Sequence, residues 1–296
     1  MRLVKKLLWV GLSLLLLMAV GVGVLAWRGD AKMAKRWKIE PASSSVATAG
    51  VDLAQGERIA QIRGCKECHG ADLGGQVLAL APIGALVPPN LTGGLGGVTA
   101  AYTDRDWQLA IRHGIGSGGR PLILMPSDDN TNMSESDFAA LLAYLKSLPP
   151  VDRQLQPTAL TFLGKVLLGA GQLPLLTVER IDHNQKPPVL PPDSGIEHGA
   201  YLAQICSGCH RADFSGGPMA AMPPEAPPAA NLTPTGHLGT WTLEQFSMAL
   251  RQGKRPDGSV MNKEFMPWSA FSGLTDTEVN ALYSYLRTLP KVETRQ

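Results

Sequence analysis

The chain has 296 residues, which is enough for about two domains of ordinary size. Its 27 basic and 25 acidic residues nearly balance, which excludes a strongly basic nucleic-acid-binding protein and a protein with an acidic tail. We therefore expect no nucleic-acid partner. The 32 glycines and 23 prolines indicate a compact protein with long ordered loops. Aromatic residues are only 6% of the chain, which is few for two hydrophobic cores.

The N-terminal region is predicted to be a membrane anchor. Residues 7–27 form an uncharged apolar run that would span about 31 Å as a helix, the thickness of a bilayer core. A cleaved signal peptide is the alternative, because residues 24–26 offer a tolerable cleavage site, but the run is longer than the apolar region of such peptides. The first 40 residues also hold eight basic and two acidic side chains. We predict an anchor at residues 1–28 and a basic, flexible linker at residues 29–50.

The rest of the chain contains one sequence module twice. All four cysteines lie in two C-x-x-C-H motifs, at residues 65–69 and 206–210, which start 141 positions apart. The short sequences N-L-T and M-P recur at the same offset. We predict two domains, module 1 at residues 51–150 and module 2 at residues 193–291, joined by a connector at residues 151–192.

Both modules are predicted to be helical. Thr103, Thr242 and Thr275 are each followed three residues later by Asp, Gln or Glu, which predicts capped helix starts. The last helix of each module has an apolar stripe at helical spacing and stops before a proline, Pro149 or Pro290. No alternating strand pattern is evident, so the predicted fold class is all-α.

C-x-x-C-H is the attachment signature of c-type haem. Cysteines at i and i+3 and a histidine at i+4 lie on one face of a helical turn, where the thiols can bond the haem vinyl groups and the imidazole can bind iron. A zinc site would need further ligands, and a redox dithiol needs no adjacent histidine. The sequence therefore predicts two covalently bound haem c groups. Their attachment residues are Cys65, Cys68, Cys206 and Cys209, and their proximal iron ligands are His69 and His210.

One methionine in each module is the predicted sixth iron ligand. Met125 and Met266 each lie 60 residues after the first cysteine of their motif, and each precedes a proline, which holds the methionine in an extended loop. Core packing is the ordinary role of a methionine. Met133 and Met261 are the nearest rivals, but neither has a methionine at the equivalent position of the other module. Ligation by His and Met is common in c-type haem and raises its potential.

The motifs resemble those of the membrane-anchored dihaem cytochromes c of bacteria. More closely, they are similar to the cytochrome subunits that serve periplasmic alcohol, aldehyde and related dehydrogenases. The resemblance covers about residues 50–291. It rests on the haem motifs, on P-P-N-L-T at residues 88–92, on F-M-P-W at residues 265–268 and on A-L-L-A-Y-L-K-S-L-P at residues 140–149. It implies two tandem class I cytochrome c domains.

The class I fold implied by this resemblance has a first and a last helix that cross over the haem edge. Gly56 and Gly199 match the small residues that allow the two helices to approach each other. Tyr144 and Tyr285 are then expected to lie opposite these glycines in the last helix of each module.

The resemblance also implies how the haem is held on its proximal side. A loop carbonyl near Pro89 or Ala230 is expected to accept a hydrogen bond from the proximal imidazole, which fixes its tautomer. Arg112 and Arg251 are expected to contact the haem propionates, since a buried propionate needs a fixed cation. A solvated arginine at a helix end is the alternative.

The predicted function is the relay of single electrons. An iron capped by His and Met has no open position for a substrate, so it can only accept and donate an electron. The expected partners are a dehydrogenase, an oxidase or a quinol-oxidising complex. Covalent haem attachment takes place outside the bacterial inner membrane, so we expect the haem domains in the periplasm. The alternative is a dihaem enzyme, peroxidase-like or a sulfur oxidoreductase, with one open iron.

The connector contains an apolar stretch at residues 159–178. Lys165, Gln172 and Pro174 interrupt it, which disfavours a second membrane span. Packing against the two modules is the expected role of this stretch. Docking on a partner, or insertion into the membrane interface, is the alternative.

Overall fold

The computed structural model describes residues 2–41, 45–189, 195–219 and 226–295. These residues form twelve α-helices and three short β-strands. The helices are α1 Arg2–Ala34, α2 Leu53–Ile62, α3 Cys65–His69, α4 Asp104–His113, α5 Ser127–Asn130, α6 Glu135–Ser147, α7 Phe162–Gly169, α8 Ile196–Ala203, α9 Ser207–His210, α10 Leu243–Gln252, α11 Trp268–Phe271 and α12 Asp276–Thr288. The strands are β1 Leu78–Leu80, β2 Gly84–Leu86 and β3 Ala159–Leu160.

Within the described residues, the two modules contain equivalent helices in the same order, α2 to α6 and α8 to α12. Thr103, Thr242 and Thr275 begin α4, α10 and α12 as capping boxes, in which each hydroxyl accepts a hydrogen bond from the backbone N–H three residues later. The last helices end at Ser147 and Thr288, just before the prolines. The predicted helix starts and ends and the all-α class are confirmed.

The first and last helices of each module cross at a glycine. A Cβ atom at Gly56 of α2 would collide with the backbone of α6 and lie 2.6 Å from Tyr144 Cβ. A Cβ atom at Gly199 of α8 would meet α12 in the same way, 2.7 Å from Tyr285 Cβ. Only glycine permits this approach, because any larger residue would force the helices apart. The expected crossing and the tyrosines opposite it are confirmed.

The α1 helix is longer than the predicted anchor. It continues to Ala34, past the expected boundary at residue 28, and it is the one described helix that is long and apolar enough to cross a membrane. The chain that follows packs against module 1. The Trp37 backbone N–H donates to the Gly119 carbonyl at 2.9 Å, and the Arg36 guanidinium donates to the Gly118 carbonyl at 2.8 Å. The predicted linker is therefore ordered in its first part, because its backbone and side chains find partners on module 1.

The connector forms a third hydrophobic core together with module 1. Leu160, Leu168 and Leu176 of the connector pack with Leu109 and Ile115 of module 1. Among the described residues, this cluster contains no residue of module 2. The expected packing of the connector is therefore confirmed for module 1. The predicted boundary between residues 192 and 193 lies outside the described residues.

A small antiparallel sheet joins the connector to module 1. The β2 strand pairs with β1 on one side and with β3 of the connector on the other, in the order β1-β2-β3. These strands were not predicted from the sequence. Each strand has only two or three residues, and the apolar residues of segment 77–89 are consecutive rather than alternating, so no strand period is visible.

The glycine crossings predict a loss of stability on substitution. Gly56→Val and Gly199→Val should each lower the thermal unfolding midpoint of the haem-loaded protein by several degrees, because overpacking of this kind costs about 1–3 kcal/mol. Thermal unfolding followed by circular dichroism measures the effect. Gly93→Ala is the control, since a Cβ atom there meets nothing within 4 Å. Unchanged midpoints in both valine variants would contradict the close crossing.

Candidate haem-binding sites

Each C-x-x-C-H motif folds as a short helical turn. The α3 helix begins at Cys65 and ends at His69, so Cys68 lies on the same turn as both. In module 2, Cys206 ends a short 3-10 helix, and α9 carries Cys209 and His210. None of the four cysteines is paired in a disulfide. The structure therefore places two thiols and one imidazole together in each module, as the attachment motif requires.

The proximal imidazole of each module is fixed by one hydrogen bond. His69 Nδ1 lies 2.8 Å from the Pro89 carbonyl oxygen, and His210 Nδ1 lies 2.7 Å from the Ala230 carbonyl oxygen. A carbonyl only accepts, so Nδ1 carries the proton and Nε2 keeps a lone pair for a metal. Burial lowers the pKa of both imidazoles, which the carbonyl bonds partly oppose. Both rings are therefore held neutral in one tautomer, and the expected carbonyl partners are confirmed.

The accepting loop is locked by the N-L-T motif. The Asn90 side chain donates to the Val151 carbonyl at 2.7 Å, and the Thr92 hydroxyl donates to the Asn90 side chain at 2.8 Å. Asn231 and Thr233 repeat this arrangement in module 2, where Asn231 donates to the Val292 carbonyl at 2.7 Å. These residues tie the loop after the haem motif to the chain that follows the last helix. Their role was not predicted, although their recurrence at the 141-residue offset was the available signal.

The environment of the cysteines disfavours the dithiol and zinc alternatives. Burial raises the pKa of the Cys65 thiol to about 11 and that of the Cys206 thiol to about 12. A reactive dithiol has a lowered pKa instead. Within the described ranges of the chain, no group of three or more His, Cys, Asp or Glu side chains is arranged so that it could hold a metal ion, as a closed zinc site would require.

The two methionines predicted as ligands occupy equivalent positions. Met125 and Cys65 both pack on the core of module 1, and Met266 and Cys206 both pack on the core of module 2. Each methionine carbonyl accepts a hydrogen bond from the backbone N–H two residues later, so the Met-Pro turn is the same in both modules. The rival Met133 is fully buried within the module 1 core. The assignment of Met125 and Met266 to iron stays a prediction.

Arg112 is a buried cation with unused donors. It is 4% exposed and stacks on the Phe138 ring at 4.6 Å, so the alternative of a solvated helix end is wrong for this residue. Its Nη2 donates to the Ser134 carbonyl at 3.3 Å and lies 3.5 Å from the Glu135 carboxylate, whereas its Nε and Nη1 are buried without a hydrogen-bond partner. A buried N–H group without a hydrogen-bond partner lowers the stability of the folded protein, unless an anion accepts its hydrogen bond. The site therefore fits a haem propionate.

Arg251 of module 2 is more fully paired than Arg112. Its Nη1 lies 2.7 Å from the exposed Asp276 carboxylate, and its Nη2 donates to the Leu274 carbonyl at 2.5 Å. Only its Nε is buried without a partner. Module 1 has a further unpaired donor, Trp107 Nε1, where the equivalent residue of module 2 is Phe246. Trp107 was not predicted as a site residue, and its only signal in the sequence is this exchange of Trp for Phe between the modules.

The two modules meet along a seam with approximate two-fold symmetry. Arg58 of α2 donates to both carboxylate oxygens of Glu278, at 2.7 Å. The equivalent pair is Tyr201 of α8 and Asp137, whose side chains lie 2.5 Å apart. Ile62 of α2 is buried in the core of module 2, which makes the contact apolar as well as polar. The modules therefore form one packed unit.

Both haem-attachment turns border this seam. Glu67 of α3 accepts a hydrogen bond from Ser269 of α11 at 3.3 Å. On the other side, Gly208 of α9 lies against the carboxylate of Asp129 in α5, and a Cβ atom at Gly208 would be 3.1 Å from both oxygens. Each attachment turn thus contacts the opposite module.

The cytochrome c family model matches residues 53–149 and 196–290, which fall within modules 1 and 2. The chain belongs to the cytochrome c family and contains two cytochrome c domains. The resemblance that the motifs predicted is confirmed. Proteins of this class bind haem c covalently and transfer single electrons.

Several relatives are cytochrome subunits of dehydrogenases. The fructose dehydrogenase cytochrome subunit of Gluconobacter japonicus is 35% identical over 145 residues, which are 46% of this chain and 29% of that protein. A diheme cytochrome c-type protein of Cereibacter sphaeroides is 27% identical over 277 residues, which are 82% of this chain and 87% of the relative. The gluconate 2-dehydrogenase cytochrome c subunit of Pantoea cypripedii is 25% identical and matches 79% of this chain and 59% of that subunit. The matched part is thus less than a third of the Gluconobacter subunit.

The unequal pairing of the two arginines predicts unequal effects on the haem potentials. Arg112→Gln should lower one of the two midpoint potentials by tens of millivolts, because it removes a buried positive charge that favours the reduced state. Arg251→Gln should lower the other potential by less, because the Asp276 carboxylate lies 2.7 Å from Arg251 Nη1, whereas the Glu135 carboxylate lies 3.5 Å from Arg112 Nη2. Spectroelectrochemical titration of the purified protein measures both. If Arg112→Gln leaves both potentials unchanged, Arg112 does not hold a propionate.

Proposed function

We propose that the chain is a membrane-anchored dihaem cytochrome c that relays single electrons from a periplasmic dehydrogenase or quinol-oxidising partner to the respiratory chain. One observation carries this proposal. Both attachment turns, each with a buried neutral imidazole, border the same seam between two firmly packed modules. Two redox centres held by such turns belong to one rigid unit, which is what an internal relay needs.

The donor set of each module fits a covalently bound haem. Each bound haem supplies an iron that gains or loses one electron. Cys65 and Cys68 hold the group in module 1, with His69 and Met125 as iron ligands and Arg112 at a propionate. Their counterparts in module 2 are Cys206, Cys209, His210, Met266 and Arg251. The unpaired Nε and Nη1 atoms of Arg112 are the structural support for this fit.

The residues around each site favour electron transfer over catalysis. The carbonyls of Pro89 and Ala230 keep the imidazoles in one tautomer. Burial of both imidazoles excludes water, so few dipoles need to reorient when the charge changes. With Met125 and Met266 as sixth ligands, neither iron keeps a position for a substrate, which disfavours the dihaem enzyme alternative.

The expected location follows from α1 and from the class of protein. The apolar window of α1 is not buried within the protein, as expected of a helix that faces lipid. We propose that α1 is a single-pass anchor in the bacterial inner membrane and that both modules are periplasmic. The relatives are named as cytochrome subunits of fructose, alcohol and gluconate dehydrogenases, so we expect a dehydrogenase of this kind as electron donor.

Removal of either methionine tests the relay. Met125→Ala and Met266→Ala should each lower one of the two potentials, because the thioether ligand raises the potential. Each variant should also lose about half of the sulfur-to-iron charge-transfer absorbance of the ferric protein and let one ferrous haem bind carbon monoxide. Absorption spectra and redox titration measure these changes.

Met133→Leu is the matched control for the methionine variants. Met133 is buried in the core, and the equivalent residue of module 2 is Leu274, so the substitution should leave spectra and potentials unchanged. Carbon monoxide binding by the unmodified ferrous protein would favour the enzyme alternative instead. Unchanged spectra in Met125→Ala or Met266→Ala would refute that ligand.

A further inference from the structure

The α7 helix of the connector has a solvent-facing side without a single polar residue. Two of its sides are occupied, since Gly164 and Leu168 pack on module 1 while Lys165 and Gly169 pack on α1. The remaining side consists of Phe162, Leu163, Val166 and Leu167, and Ala170 extends it just after the end of the helix. Phe162 is 61% exposed and Leu163 is 43% exposed. A helix that faces water carries polar residues on that side, so this side, which we call the apolar platform, is built for another environment.

The position of α7 beside α1 identifies that environment. A Cβ atom at Gly29 would collide with the Lys165 carbonyl, and one at Gly169 would collide with the Leu25 carbonyl, so the helices touch backbone to backbone. The later residue of α1, Gly29, meets the earlier residue of α7, Lys165, and Leu25 meets Gly169. The two helices therefore run antiparallel. The contact spans α1 residues 25–29, where the apolar run at residues 7–27 ends.

The only charge on α7 is turned away from the apolar platform. Lys165 Nζ lies 2.9 Å from Oδ1 of Asp30 on α1, so its charge is paired at the contact between the two helices. The turn between β1 and β2 lies next to the first residue of α7, where the Thr161 hydroxyl donates to the Pro82 carbonyl at 2.8 Å. Ala81 and Pro82 of this turn are exposed, and residues 77–89 carry no charge. The uncharged surface therefore continues from α7 onto module 1.

Basic residues lie next to the contact between α1 and α7. Residues 28–36 contain four basic side chains and one acidic side chain. Basic groups beside an apolar helix face are typical of helices that lie in the interface of an anionic membrane. The uncharged surface of α7 begins beside the end of the apolar run of α1. It is therefore continuous with the surface of α1 that lipid would cover.

We propose that the apolar platform of α7, together with the β1–β2 turn, is a second membrane contact that lies in the interfacial layer of the bilayer beside α1. The proposal rests on the proposed role of α1 as an anchor. With two contacts, module 1 cannot rotate about α1. Module 1 then lies next to the membrane.

Site-directed fluorescence in vesicles tests this contact. The full haem-loaded chain is reconstituted into vesicles of phosphatidylcholine and phosphatidylglycerol, and a single new cysteine is labelled with bimane. The four native thiols do not react, because they are bonded to haem. The positions are Leu163→Cys on the apolar platform, Leu15→Cys in the middle of α1, and Val260→Cys, which is 64% exposed on module 2. Quenching by lipids with a nitroxide on the acyl chain is compared with quenching by aqueous iodide.

We expect the Leu163 label to be quenched by the nitroxide lipids and protected from iodide several-fold relative to the Val260 label. If the Leu163 label behaves like the Val260 label while the Leu15 label is quenched by lipid, the second contact is wrong and the anchor stands. Iodide access to the Leu15 label would refute the anchor and the contact together. A Leu163 label protected from both quenchers would show that protein covers the apolar platform, which also refutes the proposal.

Discussion

The hydrogen bond from each proximal imidazole to a loop carbonyl is the constraint on which both sites depend. It sets the tautomer of His69 and His210, and a ring held in that way would present Nε2 to a haem iron. The carbonyl is in turn held by Asn90 or Asn231, which connect the loop to the chain after the last helix. That chain is positioned by the crossing of the first and last helices at a glycine. A disturbance at the helix crossing would therefore reach the iron through a short series of named contacts.

Much of the fold and of the sites could be predicted from local sequence patterns. The C-x-x-C-H motifs act within one helical turn, and the capping threonines act within three residues, so their structure follows from the adjacent sequence. The glycine crossings and the carbonyl partners involve distant parts of the chain, and they were predictable only because the motifs resemble a known class. The methionine ligands rest on position alone and remain predictions.

The features that the sequence did not reveal depend on tertiary contacts. The ordering of residues 35–41 arises from backbone groups of Trp37 and Gly119 that have no sequence signature. The burial of Arg112 and the partial exposure of Arg251 come from different surroundings of equivalent residues. At the seam, Arg58 pairs with Glu278, and Tyr201 pairs with Asp137 at the equivalent positions. The two pairs contain different residue types, so their equivalence can be recognised from the structure and not from the sequence.

The central claim is that both modules carry haem on all four cysteines. Intact mass spectrometry of the purified chain, before and after alkylation in denaturant, tests it most directly. The account predicts a mass equal to the polypeptide plus two haem groups, with no alkylated thiol. A chain of polypeptide mass with four alkylated cysteines would contradict it.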